Sequence, residues 1–218
     1  MADSEMNESP QLARRGSPRA VDCRLSTVDS LPFTPDSLPA AADVLLRGGV
    51  VILPTETVYG VACHPDFPAA LERIRAMKRR EAAKPFQLLA ADAEAVWADG
   101  ALRTPAAERL AAHWPGPLTA ILPRAAGPAE GYRVPDCPLL RELLRRCGGR
   151  LRCTSVNLSG EPPARDAQEA AAALGAAVDL LLDGGAARLG VSSTVAQLLP
   201  DGALRILRQG SLLLAARA

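Results

Sequence analysis

The chain has 218 residues, with 25 basic and 24 acidic side chains and a net charge of +1. At that balance no bulk field draws the protein to nucleic acid or to a membrane, so any basic site must be local. Hydrophobic residues make up 48% and aromatics 3%, enough for one domain with a core of Ala, Leu and Val.

Residues 1–20 are polar, carry Pro10, Gly16 and Pro18, and lack periodicity; they read as a disordered tail, with ordered structure predicted from Val21. Ser37 to Arg47 reads as a helix with apolar Leu38, Ala41, Ala42, Leu45 and Leu46, stopped by Gly48-Gly49. Val50 to Leu53 is an apolar run of the buried-strand type. Asp66 is placed to cap a helix with Pro68 in its first turn, which buries Leu71, Ile74 and Met77 and ends near Arg79. Phe86 to Leu89 reads as a short strand. Thr104-Pro105 opens a helix to about His113, stopped by Trp114-Pro115-Gly116-Pro117, and Thr119 to Leu122 follows as a strand. Leu139, Leu140, Leu143 and Leu144 mark a helix ended by Gly148-Gly149. Leu151 to Ser155 is a strand, Asp166 to Leu174 an Ala-rich helix, and Val178 to Leu182 a strand. Val191 to Leu199 and Ala203 to Leu207 form a predicted hairpin around Asp201-Gly202. Interleaved strands and helices with a β-rich end predict an α/β class, a single domain with a twisted mixed β-sheet flanked by helices. Its predicted extent is 21–212, with 213–218 as a short C-terminal tail.

The five cysteines, Cys23, Cys63, Cys137, Cys147 and Cys153, show no C-x-x-C spacing. An odd count without that spacing argues against a zinc ribbon or a disulfide framework and for a reduced, cytoplasmic protein. The acidic N-terminus lacks the apolar stretch of a signal peptide, and no run is long enough to span a membrane. P-loop, dinucleotide-binding, nucleophile-elbow and H-E-x-x-H patterns are all absent. With His64 and His113 the only histidines, chemistry that depends on a histidine base has little support.

Six motifs remain. Pro54-Thr55-Glu56-Thr57-Val58-Tyr59-Gly60 packs two hydroxyls, a carboxylate and a phenol into a strand-exit loop, where binding groups concentrate. Lys78-Arg79-Arg80-x-x-x-Lys84-Pro85 holds the chain's only two lysines among 25 basic residues. Taken alone it reads as a solvated helix end or as a polyphosphate site of point charges and bidentate clamps. Trp114 to Thr119 forms a Pro-locked wall or a plain helix stop. Thr154-Ser155-Val156-Asn157-Leu158-Ser159-Gly160 is a hydroxyl- and amide-rich loop, Ser192-Ser193-Thr194 opens a strand, and Leu207-Arg208-Gln209-Gly210 ends one.

In this order and spacing, with Arg133-Val134-Pro135 between them, these motifs resemble the threonylcarbamoyl-AMP synthase family and its YrdC-type domain, over roughly residues 36–212. The resemblance implies a nucleotidyltransferase of the short, single-domain form. Such an enzyme makes threonylcarbamoyl-AMP and pyrophosphate from L-threonine, bicarbonate or CO2, and ATP, for threonylcarbamoyl-adenosine modification of tRNA. By motif position it implies that Lys78, Arg80, Lys84, Pro115, Ser155, Asn157 and Arg208 bind ATP, and that Thr57, Thr119, Cys153 and Ser193 bind L-threonine. No residue is implied as nucleophile or base. Mg2+ would travel with ATP. Further implied partners are downstream tRNA threonylcarbamoyl transferase proteins and a weak RNA contact. The chain departs from the family pattern at Leu89, where relatives often carry His, and at Cys153, Val156 and Pro163; its last hairpin is one residue longer before Arg208. The alternatives are a non-catalytic RNA-binding module of the same fold, and a hydrogenase-maturation type of carbamoyl-adenylate domain, which normally sits in a longer chain.

Overall fold

The computed structural model describes residues 28–79 and 85–214. The predicted tail 1–20, and Arg80 and Lys84, lie outside the described residues.

Ten strands form one sheet among the described residues: β1 (Ser30–Pro32), β2 (Val50–Leu53), β3 (Gly60–Cys63), β4 (Gln87–Ala90), β5 (Leu118–Leu122), β6 (Glu130–Arg133), β7 (Arg150–Ser155), β8 (Leu180–Asp183), β9 (Thr194–Leu198) and β10 (Leu204–Arg208). Their spatial order is β1-β8-β2-β3-β7-β4-β6-β5-β9-β10. β1·β8, β2·β8, β4·β6 and β5·β9 pair in parallel and the other neighbours antiparallel, so the predicted mixed sheet is present. The helices are α1 (Leu38–Leu46), α2 (Pro68–Met77), α3 (Ala93–Ala98), α4 (Pro105–Ala111), α5 (Pro138–Arg146) and α6 (Ala167–Leu174).

Period-two alternation decides what each face receives. Val51 and Leu53 of β2 join α1 and α5 in one core cluster, whereas Val50 and Ile52 join α2 and α6 in another. Leu140, Leu143 and Leu144 of α5 are fully buried at helical spacing, each stabilising by about 2 kcal/mol. A third cluster packs α3 and α4 under Leu118, Ala120 and Leu122 of β5, Tyr132 of β6, and Ala196 and Leu198 of β9. The alternate residues of these strands, including Thr119, Ile121, Gly131, Arg133 and Val195, face the other way and line a cavity. α1 and α5 cover the β8-β2-β3-β7 part of that second face. Among the described residues no helix covers it beyond α5, and this gap holds the site.

Four elements escape the periodic pattern. β1 is three residues long, while β3 (GVAC) and β6 (EGYR) carry Gly, Ala or Glu where β formers are usual. β3 and β6 become strands because partners on both sides, β2 and β7 or β4 and β5, complete their ladders, and β1 pairs in parallel with β8 at the sheet edge. α3 is the fourth, announced only by Asp92, which accepts from the Ala95 N–H at 3.0 Å. The predicted Asp66 cap is corrected. The N-cap of α2 is Phe67, with no side-chain cap, and the Asp66 N–H donates to His64 Nδ1. Thr104 and Asp166 do cap their helices. The extra residue before Arg208 is absorbed by a bulge: Ile206 opposes Ala196, Arg208 opposes Val195, and Leu207 is skipped.

Candidate active site

A cavity of about 350 Å³ opens on the uncovered face, between the strand-exit loop of residues 54–59 and the β9–β10 end of the sheet. Its hollow follows from small residues. Gly131 puts no side chain between Thr119, Ile121 and Gln87. At Gly60 a Cβ would meet Cys153 Sγ at 2.6 Å, so only glycine lets β3 lie this close to that thiol.

The strand-exit loop is held by Thr55, whose hydroxyl donates to Val58 O at 2.7 Å and accepts from the Thr57 N–H at 3.1 Å. Having given its one hydrogen away, Thr55 must also accept from Thr57 Oγ1, 2.8 Å off. Tyr59 runs beneath the loop and ties it to the segment after β8, donating to Gly185 O at 2.8 Å and accepting from the Gly184 N–H at 3.1 Å. Burial pushes its phenol up to about 12.

Three arginines set the local field. Arg133, 3% exposed, meets Glu56, 2% exposed, at 2.8 Å, without aligned N–H···O geometry, so both groups keep unused hydrogen-bonding capacity. Arg152 neutralises Glu130, the acid on the wall, at 2.6 Å. Arg208 donates to Ser193 O at 2.9 and 3.1 Å, with no acidic partner among the described residues. Burial, and then the nearby Arg133, lower its pKa. A partly exposed cation with no carboxylate partner among the described residues, beside a second guanidinium, makes this wall a receptor for anions.

The cavity brings together Thr57, Thr119, Ser155, Ser193 and Arg208 from five separate motifs, and Cys153 of β7 beside them. Cys153 offers a neutral thiol, its pKa raised by burial to about 12. Three other candidate positions lie off the cavity wall. Pro115 is exposed beyond it, after a cis Trp114–Pro115 bond. Lys78 is 1% exposed, and its ammonium donates to Ser155 O at 2.5 Å, Asn157 O at 2.7 Å and Asn157 Oδ1 at 2.9 Å. Asn157 gives its amide hydrogens to Leu158 O and Glu161 O. Lys78 and Asn157 therefore hold the loop after β7 in shape, directly behind Ser155. Leu89 is fully buried in the core against α5, so the polar side chain that β4 turns to the cavity is Gln87. Gln87 gave no signal in the sequence. Arg133 did, through its R-x-P motif, but only the fold shows that it reaches the same cavity as Arg208.

Among the described residues no three His, Cys, Asp or Glu side chains gather to hold a metal ion, and no helix is long and apolar enough to cross a membrane.

The family profile Sua5_yciO_yrdC, described as telomere recombination, matches residues 43–210. A threonylcarbamoyl-AMP synthase of Chromohalobacter salexigens is 39% identical over 183 residues, covering 79% of this chain and 98% of that one. The Pyrococcus abyssi (P. abyssi) Sua5 structure, complexed with L-threonine, superposes with a TM-score of 0.75 at 30% identity over 85% of this chain, which spans 57% of that protein. Escherichia coli YciO superposes with the same score at 27% identity, with 85% and 96% of the two chains covered. A profile match over most of the chain and a curated relative aligned almost end to end lead to one conclusion: the chain belongs to the Sua5/YciO/YrdC family.

Proposed function

We infer that the protein is a threonylcarbamoyl-AMP synthase, a nucleotidyltransferase that joins L-threonine, bicarbonate or CO2, and ATP, and releases pyrophosphate. The observation that carries this reading is a cavity where Arg133 and Arg208 meet the hydroxyls of Thr57, Thr119 and Ser193, in a chain aligned over 98% of a synthase relative. The substrates are two anions and a small amino acid, and the wall offers cations beside hydroxyls.

In this mechanism the threonine amine takes up CO2 as a carbamate, and a carbamate oxygen then attacks the α-phosphate in line. Such steps need positioning and charge neutralisation more than a protein nucleophile. Arg133 anchors the amino-acid carboxylate, held by Glu56 beneath it. Arg208 and Ser155 meet the nucleotide. Arg80 and Lys84 grip its phosphates, in the segment leading to Pro85, itself on the cavity wall. Lys78 and Asn157 act from behind, keeping Ser155 in place. Thr57, Thr119, Ser193 and the Cys153 backbone enclose the amino acid. Magnesium would enter as the counter-ion of the ATP substrate, carried by its phosphates and water. The product passes to downstream tRNA threonylcarbamoyl transferase proteins in the cytoplasm. A non-catalytic RNA-binding module is less well supported: a net charge of +1 offers little counter-ion release, and aromatics at 3% leave few stacking platforms.

Pyrophosphate release from ATP, measured with each amino acid in turn in bicarbonate buffer, tests the reading. Threonine-dependent release is expected; release indifferent to threonine would sink it.

A further inference from the structure

Four polar side chains form a line across the cavity floor. Arg208 Nη2 donates to Ser193 Oγ at 3.2 Å, Ser193 Oγ lies 2.8 Å from Thr119 Oγ1, and Thr119 Oγ1 donates to Gln87 Oε1 at 2.6 Å. Hydrogen counting fixes the direction of this chain. A guanidinium only donates, so Ser193 Oγ accepts there. Thr119 has one hydrogen and gives it to Gln87, so at its other contact it accepts from Ser193. Every hydrogen in the row points away from the Arg208 guanidinium and toward the Gln87 carbonyl, and a charged donor at the head strengthens each later bond.

Two consequences follow. The hydroxyls of Thr119 and Ser193 are committed to each other and to Gln87, so they meet a substrate with lone pairs and not with hydrogens. The donor at the end of the row is the Gln87 carboxamide, whose oxygen is pinned on Thr119 and whose NH2 has no partner among the described residues. Gln87 lies on the cavity wall, and the neighbouring strand leaves the space beside it open: at Gly131 a Cβ would stand 3.9 Å from Gln87 Cβ and 3.6 Å from Thr119 Cγ2.

We propose that Gln87 binds the amino-acid substrate, its NH2 donating to an anionic oxygen, either the α-carboxylate or the carbamate made from it. This rests on the synthase reading. Amide donors aimed at a carboxylate-type oxygen also discriminate against neutral analogues, because a site built to hydrogen-bond a group rejects ligands that lack it.

Gln87→Met keeps the length and removes the donors; Gln87→Glu keeps the shape and the Thr119 contact but sets a carboxylate against the ligand's charge. In both, the KM for L-threonine should rise about ten- to a hundred-fold, with the KM for ATP within about two-fold. Calorimetry with L-threonine in bicarbonate-free buffer separates the two oxygens. Weakened binding there assigns the α-carboxylate; unchanged binding with a raised KM for bicarbonate assigns the carbamate. The proposal falls if threonine binding and both the threonine and bicarbonate KM values stay within about two-fold of the unaltered enzyme, or if the ATP and threonine KM values rise together. Lack of threonine-dependent turnover in the unaltered enzyme would instead overturn the synthase reading, and the Gln87 assignment with it. A variant with a lowered melting temperature is judged on the calorimetric arm, below its transition, alongside the other variant.

Discussion

Glu56 and Arg133 stand 2.8 Å apart with 2% and 3% of their side chains exposed, an ion pair almost wholly out of water at the foot of the cavity. Removing one partner leaves the other charge buried and uncompensated. Glu56→Gln should therefore cost about 3 to 5 kcal/mol in denaturant unfolding. The double variant Glu56→Leu with Arg133→Met should recover much of that stability while remaining inactive, since it loses the cation as well. A cost below about 1 kcal/mol for Glu56→Gln would mean that water reaches the pair.

Lys78 and Lys84 share a motif but should answer differently to mutation. The Lys78 ammonium donates to three carbonyl oxygens behind Ser155, so Lys78→Met leaves buried acceptors unpaired and should cost about 3 kcal/mol. Lys84 is assigned to the ATP phosphates, so Lys84→Ala should abolish turnover with stability within about 0.5 kcal/mol of the parent. Urea midpoints read beside turnover separate the two. A parental midpoint for Lys78→Met, or parental turnover for Lys84→Ala, contradicts the division of roles.

Burial raises the Cys63 and Cys147 thiols from 9.0 to about 11, Cys153 from 9.0 to about 12, and the Tyr59 phenol from 10.0 to about 12. All four are neutral when protonated, and the folded state holds the proton more tightly than the unfolded chain. Their contribution is complete below pH 9 and is lost as pH rises through the folded values. The melting temperature should accordingly fall from about pH 9 to pH 12, and the fall should be shallower in Cys153→Ala, measured against its own value at pH 8. An equal slope in that variant would show that the Cys153 proton is not linked to folding.

The amino-acid sequence by itself determined most elements and the family. Helices such as Pro138–Arg146 and strands such as Val50–Leu53 were legible because apolar spacing is a local property. The motif residues Thr57, Thr119, Ser155, Ser193 and Arg208 could be named for the same reason. The tertiary structure alone decided β3 and β6, whose weak β formers pair only because neighbours close their ladders on both sides. It also turned Lys78 inward to carbonyls, brought Glu56 to Arg133, and set Gln87 at the end of a hydrogen-bonded row begun by Arg208. Those contacts join residues 15 to 79 positions apart. Burial, which fixes whether a cation binds a ligand or braces a loop, depends on how the strands are ordered in space and is not written in any stretch of sequence.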